Sequence, residues 1–302
     1  MKRKLVQQGS ATLMISLPSK WIKSNKLLKG DELNVIEKGD FLQLCTEEKK
    51  SAKSVSIDLA QLDPIHKRAI AGCYMNGVDE IRVTYKDPKI LRKIQDEILY
   101  DLIGFDIVSQ SRNACTIKAI STLNPGDFDQ LLRRTFLLLK SMFEEIITCA
   151  KSKETKLEHV IYTDRNVNKF TSYCLRTLNK SGYHTPEHTH VVYSIINGLE
   201  EMGDRIKAFA RYITNNNILL KKDHIEYLER VHKLFDTYYK LFYNPKPDQA
   251  VIISKEFNQL KEEIVKANSQ TNDHSELNLL DHIHDLGRKS LKLMGHQLTI
   301  LF

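Results

Sequence analysis

The first 30 residues of this 302-residue chain contain no Asp or Glu, although they hold seven of its 45 Lys and Arg. The rest of the chain holds all 38 Asp and Glu and an equal number of basic residues, so the formal net charge of +7 arises from this N-terminal stretch. A localised positive field is typical of a protein that binds a phosphate backbone. An N-terminus with scattered, solvated lysines and attachment to an anionic membrane surface are the alternatives.

Long apolar runs and a disulfide pattern are also missing. No apolar run approaches the ~20 residues that cross a bilayer, and the basic N-terminus lacks the apolar core and cleavage site of a signal peptide. The cysteines are odd in number and widely spaced, which predicts reduced thiols in a cytoplasmic protein without membrane insertion. They are Cys45, Cys73, Cys115, Cys149 and Cys174.

Residues 1–47 predict a small module of strand, strand, short helix, strand and strand. A turn at Gly9 joins the first two strands, and Pro18 suits the first turn of the helix. Gly30 is expected to be its C-cap. The helix is expected to carry Lys20, Trp21, Ile22, Lys23 and Leu27 or Leu28.

The last two strands of this module are expected at 32–36 and 41–44, joined by a turn at Lys38-Gly39-Asp40. A unit of this size buries too little apolar surface to be stable alone. We therefore expect a second copy of the chain to complete it, with the hairpins of the two copies interleaved.

This order of elements, with the Gly9 turn, Leu17-Pro18 and Gly30-Asp31, resembles the swapped-hairpin barrel of the AbrB/SpoVT/MazE family of DNA-binding dimers. The sequence from Ser16 to Trp21 resembles the archaeal branch of that family, whose members join this module to a PhoU-type helical domain. The resemblance implies a homodimer that binds double-stranded DNA. The side chains expected to contact phosphates are Lys2, Arg3, Lys4, Lys20 and Lys23.

Two residues of this module leave alternatives open. Ser10 stands where the family commonly has a basic residue after the turn glycine, which puts base reading at that point in doubt. Trp21 could stack on a base, although filling the interior of a dimeric barrel is the expected role of such a bulky side chain.

The middle segment, 53–122, follows a polar linker at 47–51 and predicts a small two-layer α/β domain. The pattern indicates strand, helix, strand, helix and two strands that pair across the Ser111-Arg112-Asn113 turn. The segment has no glycine-rich phosphate loop and no nucleophile elbow. A spacer or dimerisation domain is expected, with a small-ligand sensor as the alternative.

After Asn124-Pro125-Gly126 the apolar spacing predicts only helices. Six are expected, at about 127–150, 157–180, 185–213, 222–243, 247–267 and 275–301. They would form two three-helix bundles, one from residues 125–217 and one from residues 218–302. The whole chain is thus predicted to be an α+β multidomain protein.

The two sets of helices carry a short internal repeat. Leu-Glu-Glu-Met-Gly-Asp-Arg at 199–205 aligns with Ile-His-Asp-Leu-Gly-Arg-Lys at 283–289, each in the middle of a third helix. The first copy resembles the Leu-Glu-Arg-Ile-Gly-Asp signature of PhoU, a regulator of phosphate uptake built from two three-helix bundles. The resemblance implies phosphate homeostasis and contacts with a phosphate transporter or signalling proteins. An unrelated helical bundle is the alternative.

Glu200 and Asp204 lie four residues apart and share one helix face, away from the apolar stripe. The resemblance to PhoU implies a divalent or ferric metal ion there, with Asp164 of the preceding helix as a further ligand. Asn168 stands where the family often has an acid. A solvated acidic face is the alternative. In the second repeat His284 and Arg288 replace the two acids, so no metal is expected there.

Three histidines, His184, His188 and His190, precede the third helix and could bind zinc, although solvated loop histidines are more common. For the chain as a whole we expect a homodimeric DNA-binding transcriptional regulator of phosphate homeostasis. A PhoU-type adaptor that binds a transporter or sensor kinase without touching DNA is the alternative. A metal-dependent hydrolase is not favoured, because the sequence suggests no nucleophile or general base beside the acids.

Overall fold

The computed structural model describes residues 2–38, 41–46, 52–121 and 125–301. Parts of the Lys38-Gly39-Asp40 turn, the 47–51 linker and the 124–126 boundary fall outside these residues. The chain divides into two units, Met1–Ala52 and Lys53–Phe302, and the finer division of the second unit into domains stays a prediction. Within the described residues, no helix combines the length and apolarity needed to cross a membrane.

The N-terminal unit contains two antiparallel hairpins and one short helix between them. Strand β1 (Val6–Gln8) pairs with β2 (Thr12–Met14) across Gly9, whose φ of +74° suits glycine. Helix α1 (Ser19–Ser24) follows, and β3 (Leu33–Lys38) then pairs with β4 (Phe41–Thr46). The predicted order of elements is confirmed, and the two hairpins form separate two-stranded sheets.

Helix α1 is shorter than predicted, and Gly30 is not its cap. The helix ends at Ser24, and the Asn25 side chain donates a 2.8 Å hydrogen bond to the Trp21 carbonyl. Lys26 then takes a positive φ of 53°, which turns the chain away from the helix axis. Gly30 serves instead in a separate turn, with a φ of +101°.

The second unit begins with a four-stranded sheet of order β5-β6-β8-β7. Its strands are β5 (Ser54–Asp58), β6 (Glu80–Thr84), β7 (Phe105–Gln110) and β8 (Ala114–Ala119). The pair β5–β6 is parallel and the other two pairs are antiparallel. Parallel strands need a crossover, which α2 (His66–Met75) supplies.

Helix α3 (Lys89–Lys93) runs on through one π turn (Ile94–Ile98) and a 3₁₀ turn (Leu99–Asp101) before β7. Side chains from α2, the π turn and the sheet share one apolar core. Its fully buried members include Ile70, Tyr74, Ile81, Val83, Ile94 and Ile117. The helices of this segment therefore pack against the sheet through one apolar core.

Six long helices follow, and they confirm the six that the apolar spacing predicts. They are α4 (Pro125–Lys151), α5 (Glu158–Ser181), α6 (Thr189–Asn216), α7 (Lys222–Tyr243), α8 (Pro247–Ser269) and α9 (His274–Leu301). A short 3₁₀ turn, Pro186–His188, precedes α6. The six helices share one continuous apolar core, so the two bundles are packed against each other.

The repeated glycine occupies the same packing position in both bundles. A Cβ on Gly203 of α6 would lie 3.4 Å from Leu139 on α4 and 3.1 Å from Val167 on α5. A Cβ on Gly287 of α9 would lie 3.6 Å from Val231 on α7 and 3.1 Å from Phe257 on α8. Each glycine thus allows the third helix to approach the other two helices of its own bundle.

Contacts between α6 and α9 are reciprocal. Lys289 Nζ lies 2.9 Å from Glu201 Oε2, and Arg205 Nε lies 2.8 Å from Asp285 Oδ2. By the alignment of the two glycines, Glu201 matches Asp285 and Arg205 matches Lys289. Such reciprocity is what a twofold axis between two similar units produces.

Helices α4 and α7 repeat this pattern. Lys140 Nζ lies 2.5 Å from Asp236 Oδ1, and His232 Nε2 lies 3.6 Å from Glu144 Oε1. Leu139 and Val231 hold equivalent positions against the two glycines, so Lys140 matches His232 and Glu144 matches Asp236. The two bundles are therefore related by an approximate internal twofold axis.

The sheet domain is fixed to the first bundle by polar contacts of α5, with the buried Arg176 at their centre and with Asn179 and Lys180 bonded to Met75 and Asp79. Arg176 donates hydrogen bonds to the carbonyls of Tyr74 (2.9 Å) and Val78 (2.6 Å) and to Asp79 Oδ1 (2.6 Å). Its guanidinium also lies over the Phe105 ring, 4.7 Å from the centroid. Burial lowers the pKa of Arg176, and the Asp79 carboxylate opposes that shift.

Candidate functional site

Helices α5 and α6 bring the three predicted acids together around a lysine. Asp164 of α5 is buried, with 2% of its surface exposed. Lys207 of α6 donates a 2.6 Å hydrogen bond to Asp164 Oδ2 and another to Asp204 Oδ1. Asn168 adds a 3.3 Å bond to Asp164 Oδ2. The expectation of a freely solvated acidic face is therefore wrong for Asp164.

The lysine and the acids shift each other's ionisation. Burial lowers the pKa of Lys207, but the hydrogen bonds to Asp164 and Asp204 outweigh it and raise the pKa above its usual range. Burial also raises the pKa of Asp164, and Lys207 offsets this only in part. The Asp164 Oδ1 atom is buried and has no hydrogen-bond partner among the described residues.

Glu200 lies one turn before Asp204 and has the most perturbed carboxyl of the cluster. Burial, with smaller contributions from Asp204 and Asp164, raises the pKa of Glu200 to about 7. Lys207 opposes this shift only weakly. The Glu200 carboxyl therefore holds its proton to a higher pH than an ordinary glutamate does.

As arranged, these residues do not fit a metal ion. An ammonium group already lies between the Asp164 and Asp204 carboxylates, and it would repel a divalent or ferric cation at that place. Among the described residues, no group of three or more His, Cys, Asp or Glu side chains is placed to hold a metal. The metal predicted at Glu200, Asp204 and Asp164 thus rests on the sequence resemblance alone.

The matching place in the second repeat is built differently. Arg288, which stands in the place of Asp204, donates a 2.5 Å hydrogen bond to Asp285 Oδ1. His284, which stands in the place of Glu200, stacks on the Phe257 ring at 5.7 Å. An arginine and a stacked imidazole replace the acids, so the second repeat has no comparable acidic cluster.

A cleft of about 640 Å³ separates the acidic cluster from the first turn of α2. Glu200 and Asp204 line one side, while Lys67 and Arg68 of α2 line the other. Lys67 Nζ lies 2.6 Å from Asp101 Oδ2, so part of its charge is neutralised within the cleft wall. The cleft thus combines both signs of charge.

The cations predicted to contact DNA are exposed on the N-terminal unit. They are Lys2, Arg3, Lys4, Lys20 and Lys23. Among the side chains that the structure describes in residues 2–46, none is buried, and several large apolar ones are exposed. These exposed apolar side chains are Leu5, Val6, Leu13, Met14, Ile15, Leu28, Val35 and Leu42.

Other predicted site residues have structural surroundings of their own. The ring of His184 packs on Tyr183 with centroids 3.8 Å apart, while His190 is exposed at the start of α6. Trp21 is half-buried in the N-terminal unit. The four cysteines with described side chains carry free thiols, and they are Cys73, Cys115, Cys149 and Cys174.

Sequence reasoning missed two cations, Lys207 in the acidic cluster and Arg176 at the sheet domain. Lys207 follows Asp204 by three residues, so helical spacing alone could have placed it on the acidic face. Arg176 had no such signal, because its partners at 74–79 lie far away in the sequence.

Comparisons with known proteins add one structural likeness. No family model matches the chain, and no curated protein matches it either. Among solved structures, the chain is similar to the phosphate transport system regulatory protein PhoU from Streptococcus pneumoniae, with 15% identity and a TM-score of 0.47. The match covers 58% of this chain and 94% of that one.

Proposed function

We propose that the chain is a PhoU-type regulatory adaptor of phosphate homeostasis that acts without catalysis of its own. The observation that carries this proposal is the place of the 199–205 motif. Its glycine, Gly203, sits where α6 approaches α4 and α5, and Gly287 does the same in the second bundle. The PhoU-like signature therefore coincides with the contact that builds each bundle.

The twofold arrangement of the bundles suits an adaptor. Reciprocal ion pairs such as Glu201–Lys289 and Arg205–Asp285 join the bundles into one body. Arg176 fixes the sheet domain to that body. We propose a phosphate transporter or a sensor kinase as the protein partner of this rigid surface.

A second candidate function is DNA binding by a homodimer. The observation that favours it is the N-terminal unit, whose described apolar side chains lack a core and whose first 30 residues carry only positive charge. A second copy would cover the apolar side chains in an interleaved barrel. The cations would then bind the phosphate backbone with strong salt dependence.

One complementation experiment separates the two functions. The variant carries five changes, Lys2→Gln, Arg3→Gln, Lys4→Gln, Lys20→Gln and Lys23→Gln. In a strain lacking the chain, an adaptor predicts that this full-length variant restores phosphate-dependent control of uptake as well as the parent does. Failure of the variant, together with salt-dependent binding of the purified parent to duplex DNA, would favour the regulator.

The adaptor also requires direct binding to its partner. We expect the purified full chain to bind the purified phosphate transporter or the sensor kinase, measured by interferometry. The change Glu226→Gln plus Glu229→Gln on α7, which removes two negative charges, is a control for general electrostatic attraction. Absence of binding to both partners, with intact DNA binding, contradicts the adaptor.

A further inference from the structure

A pocket of about 560 Å³ lies where the two repeats meet, beside the first turns of α4. The α5–α6 connection, the end of α7 and the end of α9 complete its walls. This volume is in the range of small-molecule binding sites. The pocket shares no lining residue with the acidic cluster on α5 and α6.

A buried amide lines this pocket without a hydrogen-bond partner for its oxygen. Gln297 of α9 has 3% of its surface exposed, and its Oε1 atom has no partner among the described residues. A buried acceptor of this kind is unfavourable unless a donor reaches it. Because Gln297 lines the pocket, a rotation of its amide would let the N–H group of a ligand there become such a donor.

Flat rings supply two of the pocket walls. Tyr183 and His184 come from the α5–α6 connection and lie against each other. Phe242 and Tyr243 come from the end of α7, with ring centroids 4.9 Å apart. Arg133 of α4 lies over the Tyr243 ring at 4.6 Å. Aromatic rings and guanidinium planes are the surfaces on which nucleic-acid bases stack.

The internal twofold axis provides a comparison for the buried amide. By the match of Gly203 with Gly287, Gln297 corresponds to Ile213, which is 2% exposed and needs no polar partner. Arg133 corresponds to Ile225. The fold therefore accepts isoleucine at both places, and packing does not explain the glutamine or the arginine.

The aromatic wall is also confined to one repeat. Ala150 and Lys151 hold the places of Phe242 and Tyr243, and both line a second pocket at the twofold-related end. That pocket thus lacks the aromatic pair, the amide and the guanidinium. Of the two pockets that the internal twofold axis relates, one contains the residues that could hold a planar ligand.

We propose that this pocket binds an adenine nucleoside or nucleotide. The base lies against the aromatic rings, and the Gln297 amide reads its edge, as glutamine pairs with the amino group and ring nitrogen of adenine. Arg133, which lines the pocket, attracts the phosphate. Asp129 lines the same pocket and opposes a large negative charge, which favours adenosine and AMP over ATP.

Such a ligand would touch both repeats at once. Arg133 and Tyr183 belong to the first bundle, while Tyr243 and Gln297 belong to the second. Binding would therefore stabilise the contact between the two bundles. Through this contact, the ligand would affect the surface that both bundles present to a partner. This inference does not depend on phosphate regulation.

Calorimetry on the full chain tests the proposal with adenosine, AMP, ATP, GMP and inorganic phosphate. We expect adenosine and AMP to bind and to raise the unfolding temperature, and GMP to bind about tenfold more weakly because its carbonyl faces the glutamine oxygen. No binding of adenosine or AMP at millimolar concentration overturns the proposal. Equal binding of inorganic phosphate alone also overturns it, because the base would then contribute nothing.

Three variants locate the site, and one of them is a matched control. Gln297→Met keeps the side-chain length and removes the unpaired amide, so the unliganded protein should unfold at the same or a higher temperature. Its affinity for AMP should fall about tenfold. His184→Ala should also lower the affinity for AMP. His190→Ala is the same change outside the pocket and should leave that affinity unchanged. Parent-like binding by Gln297→Met, or equal losses from the two histidine changes, refutes the assignment.

Discussion

At the scale of single residues, the acidic cluster is governed by one ammonium group. Lys207 bonds both Asp164 and Asp204, so those two carboxylates are compensated inside the protein. Glu200, one turn away, makes no comparable bond to the residues that the structure describes, and it lies in a partly buried, negative environment. The cluster thus separates two ion-paired acids from one acid that is easily protonated.

This separation predicts a pH-dependent stability that Glu200→Gln removes. The pKa of Glu200 is about 7 in the folded protein against an ordinary 4.5. The folded state therefore keeps a proton that the unfolded state loses, and stability falls as pH rises between these values. At pH 8 the variant should be more stable by about 1–3 kcal/mol, and near pH 4.5 it should match the parent. Urea unfolding at both pH values measures the difference.

The neighbouring acid provides a control of opposite sign. A hydrogen bond from Lys289 lowers the pKa of Glu201, so its contribution to stability is present above pH 4.5 and is lost as pH falls below it. Glu201→Gln should therefore lower stability at pH 8, by at most about 1 kcal/mol because the pair is half exposed. If both variants changed stability in the same direction, the assigned environment of Glu200 would be wrong.

At the scale of helices, the distance to the neighbouring helix decides whether a glycine can be replaced by alanine without loss of stability. Gly203→Ala places a methyl 3.1 Å from Asp164 Oδ1, a buried atom whose carboxylate is held by Lys207. Gly295→Ala on α9 meets no atom within 4 Å. Inside a helix, alanine is more favourable than glycine by about 1 kcal/mol. We therefore expect Gly295→Ala to raise the free energy of unfolding by about that amount. Gly203→Ala should lower the free energy of unfolding by about 1 kcal/mol, because the steric overlap of the new methyl outweighs the gain in helix propensity.

Thermal unfolding of the two glycine variants measures this contrast directly. The comparison is informative because both glycines lie inside long helices and receive the same methyl group. Equal stabilisation by the two changes would mean that α5 moves aside easily, and that the tight contact at Gly203 does not build the bundle.

The attachment of the sheet domain to α5 depends on Arg176. Arg176→Met removes the Arg176 bond from the Val78 carbonyl and one of two donors from the Tyr74 carbonyl, which keeps the Gly77 N–H. We expect a loss of about 2–4 kcal/mol in unfolding free energy. Arg165→Met removes a guanidinium that only overlies the Tyr100 ring at 4.5 Å. That control should lose at most about 1 kcal/mol. Urea unfolding followed by circular dichroism compares the two, and similar losses would contradict the central role of Arg176.

Elements could be predicted from the sequence far better than contacts between them. Apolar periodicity located all six long helices, because a buried stripe must repeat with the helical turn. The burial of Asp164 could not be predicted, since it depends on the neighbouring helix and not on α5 itself. The same holds for Arg176, whose partners lie about a hundred residues earlier. The end of α1 was missed because Asn25 and Lys26 turn the chain before the expected glycine.

At the scale of the whole molecule, the two units differ in how they bury apolar surface. Residues 53–302 contain two clusters of buried apolar side chains. The N-terminal unit leaves its described apolar side chains partly or fully exposed, and its hairpins are too small to be stable alone. Covering these side chains by a second copy is the physical basis of the proposed dimer.

This basis predicts that Leu13→Ser with Val35→Ser converts the chain to a monomer. The two side chains are 62% and 58% exposed in one copy, and each belongs to a different hairpin. Polar replacements remove the apolar surface that a partner would cover, while the helices of the other unit should keep their unfolding temperature. Light scattering after size exclusion measures the mass. Leu219→Ser, at a 57% exposed position between α6 and α7, is the matched control and should remain dimeric. A double variant that stays dimeric would place the interface outside the hairpins, and the interleaved barrel would have to be abandoned together with the DNA-binding role that depends on it.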